Sequence, residues 1–519
     1  MPLPETQKTQ TWPPPANAHI LTKMAEWDAW YTGSHDALTR AYASATHTRA
    51  PLSRPSQYAG GVVGTLARFL WGRPVADGQR DGRLHIPIAA DLAQASADLL
   101  YADPPKVTSE DQKTADRLAD YVDDHMATVL SAGSEIGAAL GGRYHRVTWD
   151  RELADRPFLS TVHADAAIPT FRWGRLVAVT FWTRLAHNGG NGTVLRHLER
   201  HELVNGTGLV YHGLYQGTDS DLGRVIPLTE HPAVRHLATQ VGADGALTEG
   251  RTPGLAVAYI PNLTPNRIWR TDQAGKDLGR SDYEGVEPLM DSLDETYSSW
   301  MRDIRVAKSR LLIPEYMTQT GKPGEGVSFD LDQEAYTTIR AAAGEDSDAP
   351  ITPMQFAIRV DEHQRTAQDL VEQILRSAGY SASTFGEEES DPATATETQA
   401  RKGRSLLTRG RKVRLERPAL AGLATKMLLV DQAVFNTPGL DPSKPVDVDF
   451  GATVQDSPLQ LAQTVEAISR AQAASVETKV QMLHPDWSPD QVETEAAKIR
   501  DEQGIGPVAD PANPGLFGS

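Results

Sequence analysis

The chain of 519 residues carries 51 Lys and Arg against 68 Asp and Glu, a formal net charge of −17, with 39% apolar residues and no cysteine. That length exceeds one ordinary core and predicts several domains, while the missing cysteines exclude disulfides, Cys-based zinc sites and Cys nucleophiles and suit manufacture in a reducing cytoplasm. The acidity argues against a simple duplex binder, whose affinity comes largely from Lys and Arg neutralising phosphates, and no apolar run approaches the ~18 residues of a membrane span.

The opening stretch "MPLPETQKTQTWPPPANAHIL" lacks the basic region and apolar core of a signal peptide and reads as a Pro-rich, disordered arm over residues 1–19. From Ile20 to Tyr42 the pattern is helical and rich in aromatics. In "IAADLAQASADLLYADPPKVT", Ile88, Leu92, Ala95, Leu99 and Leu100 share one helical face, and Pro104-Pro105 stops the helix. One further helix is predicted over Ser109–Gly141, ending at Gly141-Gly142. Between Tyr144 and Ile268 the signal turns to strands. "TFRWGRLVAVTFWTRL" and "TVLRHLERHELV" are β-branched and aromatic and flank "AHNGGNG", a hairpin turn; "GLVYHGLYQG" and "LAVAYIPNL" read likewise. The fold class predicted is α+β with an antiparallel sheet.

The strongest periodicity follows. Val286, Leu289, Leu293, Tyr297, Trp300, Ile304, Ala307 and Leu311 recur in steps of three and four, a stripe about seven turns or roughly 40 Å long. Ser281 and Glu284 resemble a capping box, and Pro288 is tolerable only near the first turn. Acids (Glu287, Asp291, Asp294, Glu295) lead and bases (Arg302, Arg305, Lys308, Arg310) follow, which suits the helix dipole. A short α/β stretch, Leu312–Ile358, precedes a return helix over Asp361–Ala378, with Leu370, Val371, Ile374 and Leu375 on its apolar face and Gly379 at C′. "YSASTFGEEESDPATATETQ" is a loop by composition. Thr394 and Glu397 form a second capping-box pattern and open a helix carrying "ARKGRSLLTRGRKVRLER" (Ala400–Arg417), eight bases and one acid, into apolar "PALAGLATKMLLVDQAVF". The tail from Asp441 is helical, with Leu461, Val465, Ile468 and Ala471 on one face, and acidic, with 13 acids and 5 bases.

Catalytic and metal signatures are thin. "HLERH" (His197–His201) spaces two histidines as a zinc helix would, but the Glu is misplaced for H-E-x-x-H. The segment also reads as a strand, where residues i and i+4 share a face about 13 Å apart. G-x-x-x-x-G-K-[ST] is absent, and "GSEIG" (Gly133–Gly137) is not G-x-S-x-G. The chain is therefore predicted to be no enzyme and to need no cofactor or metal. The basic run has three readings: a solvated or salt-bridged helix face, phosphate contact, or pairing with acidic surface on a neighbouring subunit. No aromatic interleaves its Lys and Arg, which disfavours stacking on single strands.

Three stretches, "IPIAADLAQASADLLYADPPKVT", "LGRSDYEGVEPLMDSLDETYSSWMRDIRVAKSRLLIPEYM" and "HPDWSPDQVETEAAKIRDEQG", together resemble the portal proteins of tailed bacteriophages, in the form carried by siphophages of actinobacteria. The resemblance covers about residues 20–505, and the middle stretch is the most specific. It implies a dodecameric ring at one capsid vertex, a conduit for double-stranded DNA in packaging and ejection. Laid on the sequence, it implies a wing over residues 20–285, stem helices over 286–311 and 357–379, a clip over 312–356, a tunnel loop over 380–393, a long wing helix region over 394–450, a crown over 451–505 and a tail over 506–519. Stem packing would rest on Val286, Leu289, Leu293, Tyr297, Trp300, Ile304, Leu370 and Ile374, buried by neighbours in a ring of tilted helices. Phe385, Glu387, Glu388, Glu389 and Asp391 would stand in the tunnel loop beside DNA. Arg401, Lys402, Arg404, Arg409, Arg411, Lys412 and Arg414 would form a subunit interface or touch DNA, the interface being favoured because the chain as a whole repels phosphate. Implied partners are further copies of the chain, the DNA, the terminase large subunit (which would hydrolyse ATP), the head–tail connector, and the major capsid or scaffold protein, with no membrane. The chain would be made in a host bacterial cytoplasm and reside in the virion. Rival readings are another structural virion protein, such as a minor capsid or connector subunit, and a metal-dependent nuclease or protease.

Overall fold

A computed structural model describes residues 3–4, 10–46, 84–186, 192–306, 310–314, 337–339, 352–354, 358–385, 403–451, 465–471, 473–484, 487 and 489–502. The chain divides into two units, residues 1–386 with 404–451, and residues 387–403 with 452–519.

The first unit opens with α1 (Pro15–Thr32), whose leading proline suits a first turn and whose end is Gly33 in the left-handed region. Within residues 1–19, where a disordered arm was expected, α1 already begins at Pro15, and the described Trp12 ahead of it is docked, its backbone N–H donating to Ser220 O at 3.0 Å. Trp12 is buried with Leu198, Tyr215 and Leu222, and the Tyr215 hydroxyl donates to the Pro4 carbonyl at 2.9 Å. One indole offers more apolar area than the polar composition around it suggests. After α2 (His35–Thr46) and α3 (Ile88–Tyr101) come β1 (Lys106–Ser109), α4 (Gln112–Tyr121) and α5 (Asp124–Leu140). The single helix predicted over Ser109–Gly141 is thus two. Asp111 and Asp123 each accept a backbone N–H three residues on, from Thr114 at 2.9 Å and Met126 at 2.8 Å, so Asp123 starts a new helix where a continuation was expected.

β2 (Gly142–Thr148) lies between β3 (Phe158–His163) and β9 (Val257–Pro261) in an antiparallel sheet. A second sheet runs in chain order through β4 (Ala167–Arg172), β5 (Arg175–Leu185), β6 (Val194–Val204), β7 (Thr207–Gly217) and β8 (Arg224–Ile226), antiparallel throughout. The docked Trp12 segment covers one face of this sheet through Leu198 and Tyr215.

Helices α6 (Glu287–Val306) and α7 (Val360–Ala378) pack on each other, and α7 ends at Gly379 in the left-handed region, where the sequence placed its stop. Between them lie β10 (Arg310–Pro314), β11 (Thr337–Ile339) and β12 (Thr352–Met354), with β10 central, parallel to β11 and antiparallel to β12. The stripe predicted to run on to Leu311 stops at Val306, because Leu311 belongs to β10; the helix has 20 residues, about 30 Å. Ser281 does not cap it. The Ser281 hydroxyl accepts from Tyr283 N in a preceding turn, while Glu287 Oε2 accepts from Gly285 N at 2.6 Å.

Long α8 (Gly403–Val430) passes through a π-helical turn, Asp431–Phe435, to β13 (Val446–Asp449), which pairs with β1. Two large apolar cores hold this unit. One joins α1, α3, α6 and α7 around Trp27, Leu92, Met290, Leu293 and Ile374. The other joins α4, α5, β2, β3, β9 and the C-terminal half of α8 around Leu118, Leu130, Leu159, Ile260 and Leu428. In the second unit, α9 (Val476–Leu483), N-capped by Ser475, meets α10 (Pro489–Glu502) through Val480, Val492 and Ala496; Leu461 lies outside the described residues. The molecule is a mixed helix-and-sheet protein.

Candidate functional site, the charged junction around the long helix

The basic run of α8 turns part of its charge inward. Lys412 and Glu416, one helical turn apart, are both buried, and each meets a partner from a distant part of the chain. Lys412 Nζ donates to the Asp282 carboxylate at 2.9 and 2.7 Å, to Ser96 Oγ, and to Tyr380 OH at 3.2 Å. Asp282 also accepts from Tyr380 OH at 2.6 Å and Asn262 Nδ2 at 2.8 Å. Burial pulls the Lys412 ammonium below its ordinary value, and the Asp282 charge opposes that pull. Arg143 Nη2 donates to Glu416 Oε1 and Oε2 at 2.8 and 2.9 Å, and Tyr101 OH donates to Oε2 at 2.9 Å. Arg143 Nε donates to His145 Nε2 at 2.9 Å, which leaves the proton of the neutral ring on Nδ1, 2.9 Å from Thr161 Oγ1. Burial, then the Arg143 charge, holds His145 well below the ordinary histidine range.

Arg409 ties backbone together. Its Nε donates to Leu99 O at 2.7 Å, a last-turn carbonyl of α3, and its Nη2 donates to Phe450 O at 2.7 Å and Gly451 O at 3.1 Å. The expectation of a subunit or DNA contact is therefore corrected for Lys412 and Arg409, whose head groups are held by groups of their own chain. Arg404, Arg411 and Arg414 are exposed on the outer side of α8, together with Leu407 and Arg417. Arg401 and Lys402 lie outside the described residues.

The helix pair also finds its cover within the chain. Val286, Leu293 and Ile374 are buried, and Leu289, Tyr297 and Leu370 pack partly buried on the same core, against α1, α3 and each other. Burial of this part of the stripe does not wait for a neighbouring subunit. Farther along, Trp300 stacks on His363 with ring centroids 6.0 Å apart, Asp303 accepts from His363 Nε2 at 3.0 Å and Arg359 at 3.1 Å, and Ile304 is 40% exposed. Phe385, placed by sequence in a DNA-facing loop, packs edge-on against Tyr380 at 6.3 Å. The start of that loop is bound to α8: Ser381 N donates to Ser405 Oγ at 2.9 Å, and Thr408 Oγ1 donates to Gly379 O at 2.6 Å. Glu387, Glu388, Glu389 and Asp391 lie outside the described residues.

The family described as phage portal protein, SPP1 Gp6-like, matches residues 14–504. The chain belongs to the phage portal protein family. It is a structural protein of the bacteriophage virion that serves DNA packaging. No curated protein sequence matches it. Among solved structures it is loosely similar to the neck of a native GTA particle computed with C12 symmetry, 14% identical over 86% of this chain and 98% of that one, with a TM-score of 0.41.

Sequence reading missed a second polar centre of the portal protein. A cavity of about 480 Å³ opens between the five-stranded sheet and the β2–β3 hairpin. His197 and His201 share its wall, as strand periodicity requires, yet they pair separately. His197 Nε2 lies 3.1 Å from His212 Nδ1, whereas His201 Nε2 lies 2.6 Å from Glu199 Oε1, and Glu199 also pairs with Arg146. Burial lowers His197, and lowers His212 to about 3. Burial opposes ionisation of Glu199, but Arg146 and His201 hold it well below the usual carboxylate range. Among the described residues, no group of three His, Asp or Glu is spaced to hold a metal ion. His212 and Arg146 come from other strands, so only the pairing of the sheets brings them to "HLERH".

Proposed function

We propose that the portal protein works as a ring of copies, a dodecamer by family resemblance, set at one capsid vertex and conducting double-stranded DNA inward during packaging and outward during ejection. The match of residues 14–504 to the portal family carries this reading. In it, α6 and α7 are the stem, and the sheet β10–β12 belongs to the clip that meets the terminase large subunit and then the head–tail connector. Residues 380–393 reach toward DNA, and the capsid or scaffold protein surrounds the ring.

The buried junction supplies a rigid root for that loop, since Tyr380 is tied to Asp282 and Lys412 while Gly379 and Ser381 are tied to α8. A segment working beside moving DNA holds its position only if the side chains beneath it are locked. The net charge of −17 suits a wall past which phosphates slide rather than stick. Exposed Arg404, Arg411 and Arg414 then serve contacts between copies in preference to DNA. The portal protein works without catalysis, and ATP hydrolysis falls to the terminase. Light scattering with negative-stain imaging of the purified chain tests the ring. Annular particles of roughly a dozen copies are expected. A chain that stays monomeric even with its capsid and scaffold proteins would rule the ring out.

A further inference from the structure

Two hairpin turns of one sheet follow the same backbone path with different residues. Asn205-Gly206 joins β6 to β7 with φ of 49° and 84°, and Trp173-Gly174 joins β4 to β5 with φ of 54° and 73°. Asn and Gly are what a type I′ turn selects, because they tolerate positive φ; a tryptophan at the first position is strained there and adds nothing to the turn. Nor does burial compensate, for Trp173 is 96% exposed. Arg172 and Arg175 face each other across the last rung of the hairpin, both exposed. Among the described residues neither forms an ion pair.

We propose that this tip, Arg172 to Arg175, is a docking knob for an acidic patch on a second copy of the chain. An exposed tryptophan between arginines is the composition that dominates interface energies. A second copy is favoured on charge: copies of −17 repel one another, and contact becomes favourable where a basic projection of one meets the acidic surface of the next. A basic knob cannot mate with itself, so knob and acceptor are different surfaces, and a contact of that kind is one that a ring repeats from copy to copy. The proposal rests on the ring reading above and names one of its contacts.

Sedimentation velocity of the full-length chain tests it with Trp173→Gly and with the pair Arg172→Glu/Arg175→Glu. Trp173→Gly relieves the strained φ, so its Tm is expected to equal or exceed that of the wild type, which separates a lost contact from a lost fold. Assembly of both variants is expected to weaken at least tenfold. Because the chain has no cysteine, Thr170→Cys carries a single maleimide photo-crosslinker beside an intact tip. A crosslink to an acidic peptide of a second copy is the expected product. Unchanged assembly in both variants, or crosslinks to DNA or to another virion protein alone, overturns the knob and leaves the ring standing. A wild-type chain that stays monomeric alone and with capsid and scaffold proteins overturns both.

Discussion

Lys412, Asp282, Arg143 and Glu416 form a buried cluster of balanced charge, with Tyr101, Tyr380, Ser96 and Asn262 completing its hydrogen bonds. Removing one member leaves its partner charged and bare in a poor solvent. Lys412→Met is therefore expected to lower the unfolding free energy by about 3–5 kcal/mol. Lys412→Met with Asp282→Asn should lose less than the two single variants summed, as a urea-denaturation cycle would show; additive losses would mean the pair is not coupled. A second expectation concerns pH. His145, His197 and His212 are all lowered by burial, His212 to about 3, whereas an unfolded histidine titrates near 6.5. Below about pH 6.5 the unfolded chain takes up protons that the folded one refuses. Their contribution is therefore full above that pH and drains as pH falls, by about 1.4 kcal/mol per unit for each histidine still neutral in the fold. His212→Gln should flatten the slope between pH 7 and pH 5 by one histidine's share, and an unchanged slope would assign the titration to other groups.

Helix α6 changes character along its length. Leu293 is fully buried and Ile304 is 40% exposed, so Leu293→Ala is expected to cost about 2–5 kcal/mol and Ile304→Ala little in the isolated chain. Equal losses in thermal denaturation would contradict the placement of the core at one end of the helix. For the loop after α7, deletion of Glu387–Asp391 should leave assembly intact and impair DNA packaging; genome-filled particles at normal yield would remove the loop from the mechanism. Some element boundaries were legible because their signals are local. Gly379 stops α7 since only a residue at ease in the left-handed region fits there. The break between α4 and α5 escaped because "YVDDH" preserves apolar spacing, and only the Asp123–Met126 bond reveals a cap. The end of α6 escaped likewise, since Leu311 continues the helical period while pairing as a strand with Pro353.

At the scale of the whole molecule, excess acid governs what the protein can hold. A chain of −17 is expected to bind duplex DNA no more tightly than ordinary non-specific binders, about 10⁻⁴–10⁻⁶ M at physiological salt. Tighter binding with a steep salt dependence, measured by fluorescence anisotropy, would mean that Arg404, Arg411 and Arg414 reach phosphate instead of a neighbouring copy. Those exposed arginines and the Arg172–Arg175 tip are basic outliers on an acidic chain, and assembly is where such outliers have a use.

The sequence by itself determined that the chain is helical around Trp27, Leu92, Met290 and Ile374, that strands pair on either side of "AHNGGNG", and that the chain is of the portal family, because each is written in residues close together or in a pattern kept along most of the chain. Tertiary structure alone decided which bases of Ala400–Arg417 face inward. Lys412 meets Asp282 130 residues away and Glu416 meets Arg143 273 residues away, and no local pattern encodes a partner at that distance. Trp12 and the histidines of the cavity follow the same rule. Whether a polar or aromatic side chain is buried depends on what the fold brings against it, and a one-dimensional period records only which way it points.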